Sequence, residues 1–157
     1  MRYEPAAPTV TGTHGGWQRK VVWESEKMRG FGKAFFASAL FYGVLGILLG
    51  LHMAMSQNHG QLPTHAHLLV IGWVSFAIFG LFYSAYGHAV PKLLATLHFW
   101  LAEISFAALV VGLWLLYAGH TQYEPIAAVS SLGYAASFLI FVVAAIFGMR
   151  AAPSGAA

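Results

Sequence analysis

Residues 62–83 read LPTHAHLLVIGWVSFAIFGLFY, a run without one charged side chain and with two histidines, His65 and His67, at its mouth. At about 1.5 Å of rise per residue, a helix of this length crosses a hydrocarbon core of about 30 Å. Three further runs of the same kind flank it, so that apolar segments cover about residues 34–55, 67–86, 93–118 and 126–149. One such run could be a buried core helix. Four in a chain of 157 residues, 59% hydrophobic and 8% charged, predict an all-α integral membrane four-helix bundle.

Orientation follows from the cations. Arg2, Arg19, Lys20, Lys27, Arg29 and Lys33 precede the first run, Lys92 lies between the second and third, and Arg150 follows the fourth. The connections at 56–64 and 119–125 contain no Lys or Arg. The positive-inside bias then predicts an inner-membrane protein with both termini cytoplasmic and both of those connections facing out. With this placement the formal charge of +3 argues for no nucleic acid partner. No apolar core followed by an A-x-A-like site precedes the spans, so no cleavable signal peptide is expected. Residues 1–33 read as a cytoplasmic tail, mobile over the first 16. Its part from Trp17 onward fits equally a helix on the inner leaflet or a solvated linker. Residues 34–150 form the transmembrane domain, and 151–157 a second tail.

Small residues form stripes on the spans: Ala39, Gly43, Gly46 and Gly50 on the first, Gly72 and Gly80 on the second, Ser105, Ala108 and Gly112 on the third. In lipid, where apolar surface gains nothing from association, such stripes mark helix contacts.

The chain has no cysteine and no aspartate, which excludes disulfides, thiolate zinc and iron–sulfur clusters. A metal would rest on His, Met or Glu. Of eight histidines, His14 and His88 read as solvated, whereas His52, His59, His65, His67 and His120 gather toward the outer face. A lone interfacial imidazole is ordinary. Five at one depth supply neutral nitrogen donors for heme iron, copper or zinc. With Thr64 as N-cap or Pro63 in the first turn, His65 and His67 are both helical and diverge by about 200°. They cannot readily grip one iron from one chain, and zinc motifs on helices use i, i+4 spacing instead.

The stretch LPTHAHLLVIGWVSFAIFGLFYSAY, with LLATLHFW at 93–100, resembles the catalytic subunit of the heme–copper oxidase superfamily, in particular the cbb-type oxidases and nitric oxide reductases. In that family a histidine opening the second helix ligates the low-spin heme, and His65 matches it; Tyr83 or Tyr86 fall near the closing aromatics. The resemblance covers about residues 61–100. It implies an architecture of three arcs of four helices, and in the last arc an H-x-H pair whose members bind two neighbouring hemes. His65-Ala66-His67 has that form. A four-helix chain with both features looks like one arc alone, which leads to an expectation. Three copies would close into a ring, with His65 of one and His67 of its neighbour holding one heme b. The family's three copper-ligating histidines and its cross-linked His–Tyr pair are not recognisable, so a complete oxidase or nitric oxide reductase site is not expected. With no outer Arg, heme propionates would fall to Gln57, Asn58, His59 or water. A bis-His iron suits electron transfer with a redox partner of unidentified kind.

Three rivals stand beside this reading. His52 could clamp heme with His65 or His67 inside one bundle. His52, Met53, Met55 and His59 could hold copper, since thioether and imidazole suit Cu(I), while His120, closing the third span, falls where the resemblance would put part of the family's copper set. The chain could also be a cofactor-free accessory or assembly subunit. Within the third span, His98 and Glu103 stand about 140° apart and make poor partners for each other. Both are costly to bury in a span, and Glu103 reads as a proton relay toward the heme or, more blandly, as one end of an interhelical hydrogen bond to a Tyr or Ser.

Overall fold

A computed structural model describes residues 15–151, with side chains from Gly30 onward. All of the regular structure there is helical. Helix α1 runs over Gly15–Ser56, α2 over Leu62–Ala89, α3 over Lys92–Tyr117 and α4 over Glu124–Ala151. Four segments within these are long and apolar enough to span a membrane. Helix α1 continues without a break through residues 17–33, whether that part lies on the leaflet or in water. The expected tail up to residue 14, with His14, and that from 152 lie outside the described residues.

Short connections make the order up-down-up-down. α1 packs along α2, and α3 packs along α4. The turn after α1 passes through Gln57 in the left-handed region (φ 54°), and Asn58 accepts a hydrogen bond from the Gly60 amide at 2.9 Å. Helix α3 stops at Gly119, whose φ of +96° is cheap only without a Cβ. There the Gly119 and His120 amides bond back to the Leu116 and Leu115 carbonyls at 3.1 and 3.0 Å, a Schellman close that puts His120 just past the helix. Between α2 and α3, Pro91 leaves the helical region and α3 restarts at Lys92.

The interior is aromatic. Phe35 packs on Phe76, Phe79, Tyr83, His98 and Phe99 with ring centroids 4.9–5.6 Å apart. Aliphatic side chains such as Leu40, Val70, Ile104 and Leu132 point outward and are about half exposed or more, the arrangement lipid requires rather than the one water does. The predicted small-residue stripes are contacts. A Cβ at Gly43 would lie 3.2 Å from the Trp73 ring, one at Gly72 2.6 Å from Tyr42, and one at Gly112 2.8 Å from the Ala127 backbone.

The two ionisable groups of the third span go separate ways. The Tyr42 hydroxyl donates to Glu103 Oε1 at 2.9 Å, tying α1 to α3. This is the interhelical Tyr bond anticipated for Glu103. His98 is fully buried, with Nδ1 3.0 Å from the Tyr83 hydroxyl. Among the described residues, Glu103 Oε2 and His98 Nε2 find no partner. Tyr42→Phe therefore leaves both carboxyl oxygens unpaired and is expected to cost about 1–3 kcal/mol. Unfolding in detergent by increasing dodecyl sulfate measures it, and Glu103→Gln, which still accepts from Tyr42, should cost less.

Candidate functional site

Helix α2 begins at Leu62, with Gln61 as N-cap and Pro63 in the first turn. Thr64 is not the cap. Its side chain is fully buried and its hydroxyl donates to Gln61 Oε1 at 2.7 Å, while Gln61 Nε2 donates to the Trp114 carbonyl at 3.1 Å. This chain of bonds fixes the mouth of α2 against α3. Residues Leu62–His67 are α-helical, so the divergence of about 200° between His65 and His67 applies.

His65 turns toward α1. Its Nδ1 lies 2.8 Å from the Gly46 carbonyl, and a Cβ at Gly50 would stand 2.8 Å from its Cε1. The upper end of the α1 stripe is thus a notch for an imidazole as well as a contact between helices. His67 takes the other flank, where its Nδ1 lies 2.7 Å from the Pro63 carbonyl one turn back. A carbonyl oxygen can only accept, so both Nδ1 atoms carry a proton, and in the neutral ring Nε2 then keeps the bare lone pair. Both rings are half-buried. A second bond that fixes tautomer and ring orientation is what a metal-ligating histidine usually has behind it.

Two apolar hollows lie along this helix, of which the smaller includes the His67 ring in its lining and the larger starts a turn below His65. One of about 470 Å³ runs between α1 and α2 below His65, lined by residues that include Gly43, Ile47, Leu69, Trp73 and Val74. A smaller one of about 230 Å³ is formed by Ala66, His67, Val70 and Ile71.

The rest of α2 departs from α-geometry. Leu68–Ser75 is a π-helix, and Phe76–Tyr86 returns to α before a 3₁₀ turn at Gly87–Ala89. The Phe76 amide reaches back to the Ile71 carbonyl, five residues away. The residues facing the bundle are Thr64, Leu68, Gly72 and Phe76, spaced by four. In an unbroken α-helix Phe76 would stand about 120° away from the direction of Thr64. At roughly 80° per residue, i→i+5 bonding removes that offset. The π segment therefore absorbs one surplus residue and keeps His65 on the α1 notch while Phe76 and Phe79 keep the core.

The other candidate ligands are dispersed. His52 is exposed and about 120° around α1 from Gly46. Met53 is 4% exposed whereas Met55 is 85% exposed, so the two thioethers face opposite ways. His59 and His120 are exposed in the connections after α1 and α3, the latter ring 6.3 Å from Tyr123. Among the described residues no three His, Cys, Asp or Glu side chains come together as a metal-holding group. The Gly46 carbonyl, Gly50 and the π segment belong to the site and escaped the sequence reading. The glycine stripe ending opposite His65 carried the signal for the first two.

No protein-family model matches the chain, and no curated protein or solved structure is similar enough to it to count as a match.

Proposed function

We propose that the chain is a b-type heme protein of the inner membrane, closed into a homo-oligomer, with three copies favoured. In each cleft His65 of one copy and His67 of the next hold one heme. The observation that carries this is the pair of Nδ1–carbonyl bonds, which present two Nε2 lone pairs on opposite flanks of one helix end. One copy then offers half a site on each side, and a closed ring supplies every cleft with both halves. The resemblance to the heme–copper oxidase superfamily, whose twelve-helix core such a ring would imitate, supports the same reading.

The donor set fits the group. Two neutral imidazoles suit heme iron, no cysteine is present for covalent attachment, and the hollow below His65 is apolar and within the usual size range of ligand sites. Two imidazoles holding such a group would leave it a one-electron couple to supply, and electron transfer is the function proposed for it. The chain's own part is positional. The Gly46 and Pro63 carbonyls hold the imidazoles in one tautomer, and Leu69, Trp73 and Ile47 keep water from the apolar face. The end bearing Lys33, Lys92 and Arg150 is assigned to the cytoplasm by the positive-inside bias, which places the hemes near the outer leaflet.

A reduced-minus-oxidised spectrum with pyridine hemochrome and metal analysis on detergent-purified protein tests this. A b-type spectrum with one heme per chain is expected. Colourless protein with stoichiometric copper would favour a His/Met site around His52, Met55 and His59, against which the opposed thioethers count. Neither heme nor copper would leave a cofactor-free accessory subunit.

A further inference from the structure

A second groove opens between α1 and α2 nearer the end of the bundle that carries the described cations. It measures about 380 Å³ and is lined by Gly32, Lys33, Phe36, Ala37, Leu40, Gly80, Leu81 and Ser84. Its floor is a close crossing of backbones, where a Cβ at Gly80 would stand 3.0 Å from the Gly32 carbonyl oxygen and 3.0 Å from the Phe36 amide. The Ser84 hydroxyl is turned in on the Gly80 carbonyl at 2.8 Å, so the lining presents almost no free polar group. Its walls are half-exposed Phe36, Leu40 and Leu81, at 39%, 49% and 62%. The exception is Lys33, exposed at the mouth; a lysine so placed can lay its four-carbon stem on apolar surface and keep its ammonium among headgroups.

We propose that this groove binds one anionic phospholipid, with an acyl chain laid along Phe36, Leu40 and Leu81 and the phosphate on Lys33. The geometry favours a lipid over a second protein chain, because a single narrow channel beginning at a cation matches a headgroup and tail. From Lys33 to Leu40 the groove follows about 10 Å of helix, the upper part of one tail. The charge supports an anionic headgroup. Lys33, Lys92 and Arg150 share this end of the bundle, while the connections at 56–64 and 119–125 carry no Lys or Arg. Basic pockets between helices at the cytoplasmic side are where acidic headgroups settle. This site does not depend on the heme reading, since it uses neither histidine, and of its lining Leu40 alone also borders the hollow below His65.

Delipidated full-length protein in mild detergent, titrated with phosphatidylglycerol and separately with phosphatidylcholine and read by native mass spectrometry, tests the proposal. One phosphatidylglycerol per chain is expected, preferred over phosphatidylcholine by about fivefold or more. Lys33→Glu should abolish the preference and Lys33→Arg keep it, while Leu40→Trp, filling the channel, should lower binding of both lipids. Equal binding of the two lipids would overturn the proposal, as would a preference that survives Lys33→Glu or falls equally with Lys92→Glu. A cysteine at Leu40 that cross-links copies in high yield would show a second chain in the groove and overturn it too.

Discussion

Changing His67 to alanine is expected to remove almost all b-type absorbance from the purified protein while leaving its helix content and oligomer size intact. His65→Ala should do the same, and the double variant should be no worse than either single one. The reason is the geometry of the pair. Each heme is proposed to take one imidazole from each of two chains, so either change deletes one ligand from every cleft. The free lone pairs of His65 and His67 lie on flanks that do not converge. Effects of groups that act as one unit do not add. Equal, non-additive losses in the Soret band, with sedimentation unchanged, are the readout. His52→Ala should leave the spectrum as it is; a loss there would favour an iron clamped inside one bundle.

The second large effect concerns the length of α2. Inserting one alanine after Val70 is expected to abolish heme retention, whereas deleting Val70 is expected to be tolerated. Intuition runs the other way, since both change a membrane span by one residue. The π segment Leu68–Ser75 already stores one residue more than an α-helix between Thr64 and Phe76 can align. Removing Val70, which is 61% exposed, lets the segment revert to α with both ends still facing the core. Adding a residue leaves a turn of about 100° that the helix cannot absorb, and His65 swings off the Gly46 notch. The chain has no cysteine of its own, so the rotation can be read without heme. Cysteines introduced at Gly50 and His65 should cross-link in the parent and in the deletion, but not in the insertion.

Much of this architecture was legible in the sequence, and the parts that were not have physical reasons. The four spans follow from run length and hydropathy, and residues 67–86 locate the second although it begins at Leu62. That start was blurred because Pro63, Thr64 and the two histidines dilute the apolar signal, while proline in the first turn costs a helix nothing. The 200° divergence of His65 and His67 could be computed because Leu62–His67 stays α-helical. Which neighbour each would face could not, because that depends on the π segment, and hydropathy does not register a change from 3.6 to about 4.4 residues per turn. Only the four-residue spacing of Thr64, Leu68, Gly72 and Phe76 leaves a trace of it. For Glu103 the kind of partner was foreseen and Tyr42 supplies it. His98 was seen as costly to bury, but its link to Tyr83 joins two helices and has no sequence signature.

Co-expression of His65→Ala and His67→Ala chains, each with its own affinity tag, tests the central claim most directly. Neither variant alone should hold heme. In a mixed three-membered ring, one cleft always pairs an intact His65 with an intact His67. Protein purified through both tags should therefore regain one b-type heme per three chains. Doubly tagged oligomers that stay colourless, while the parent binds heme, would contradict a heme shared between copies.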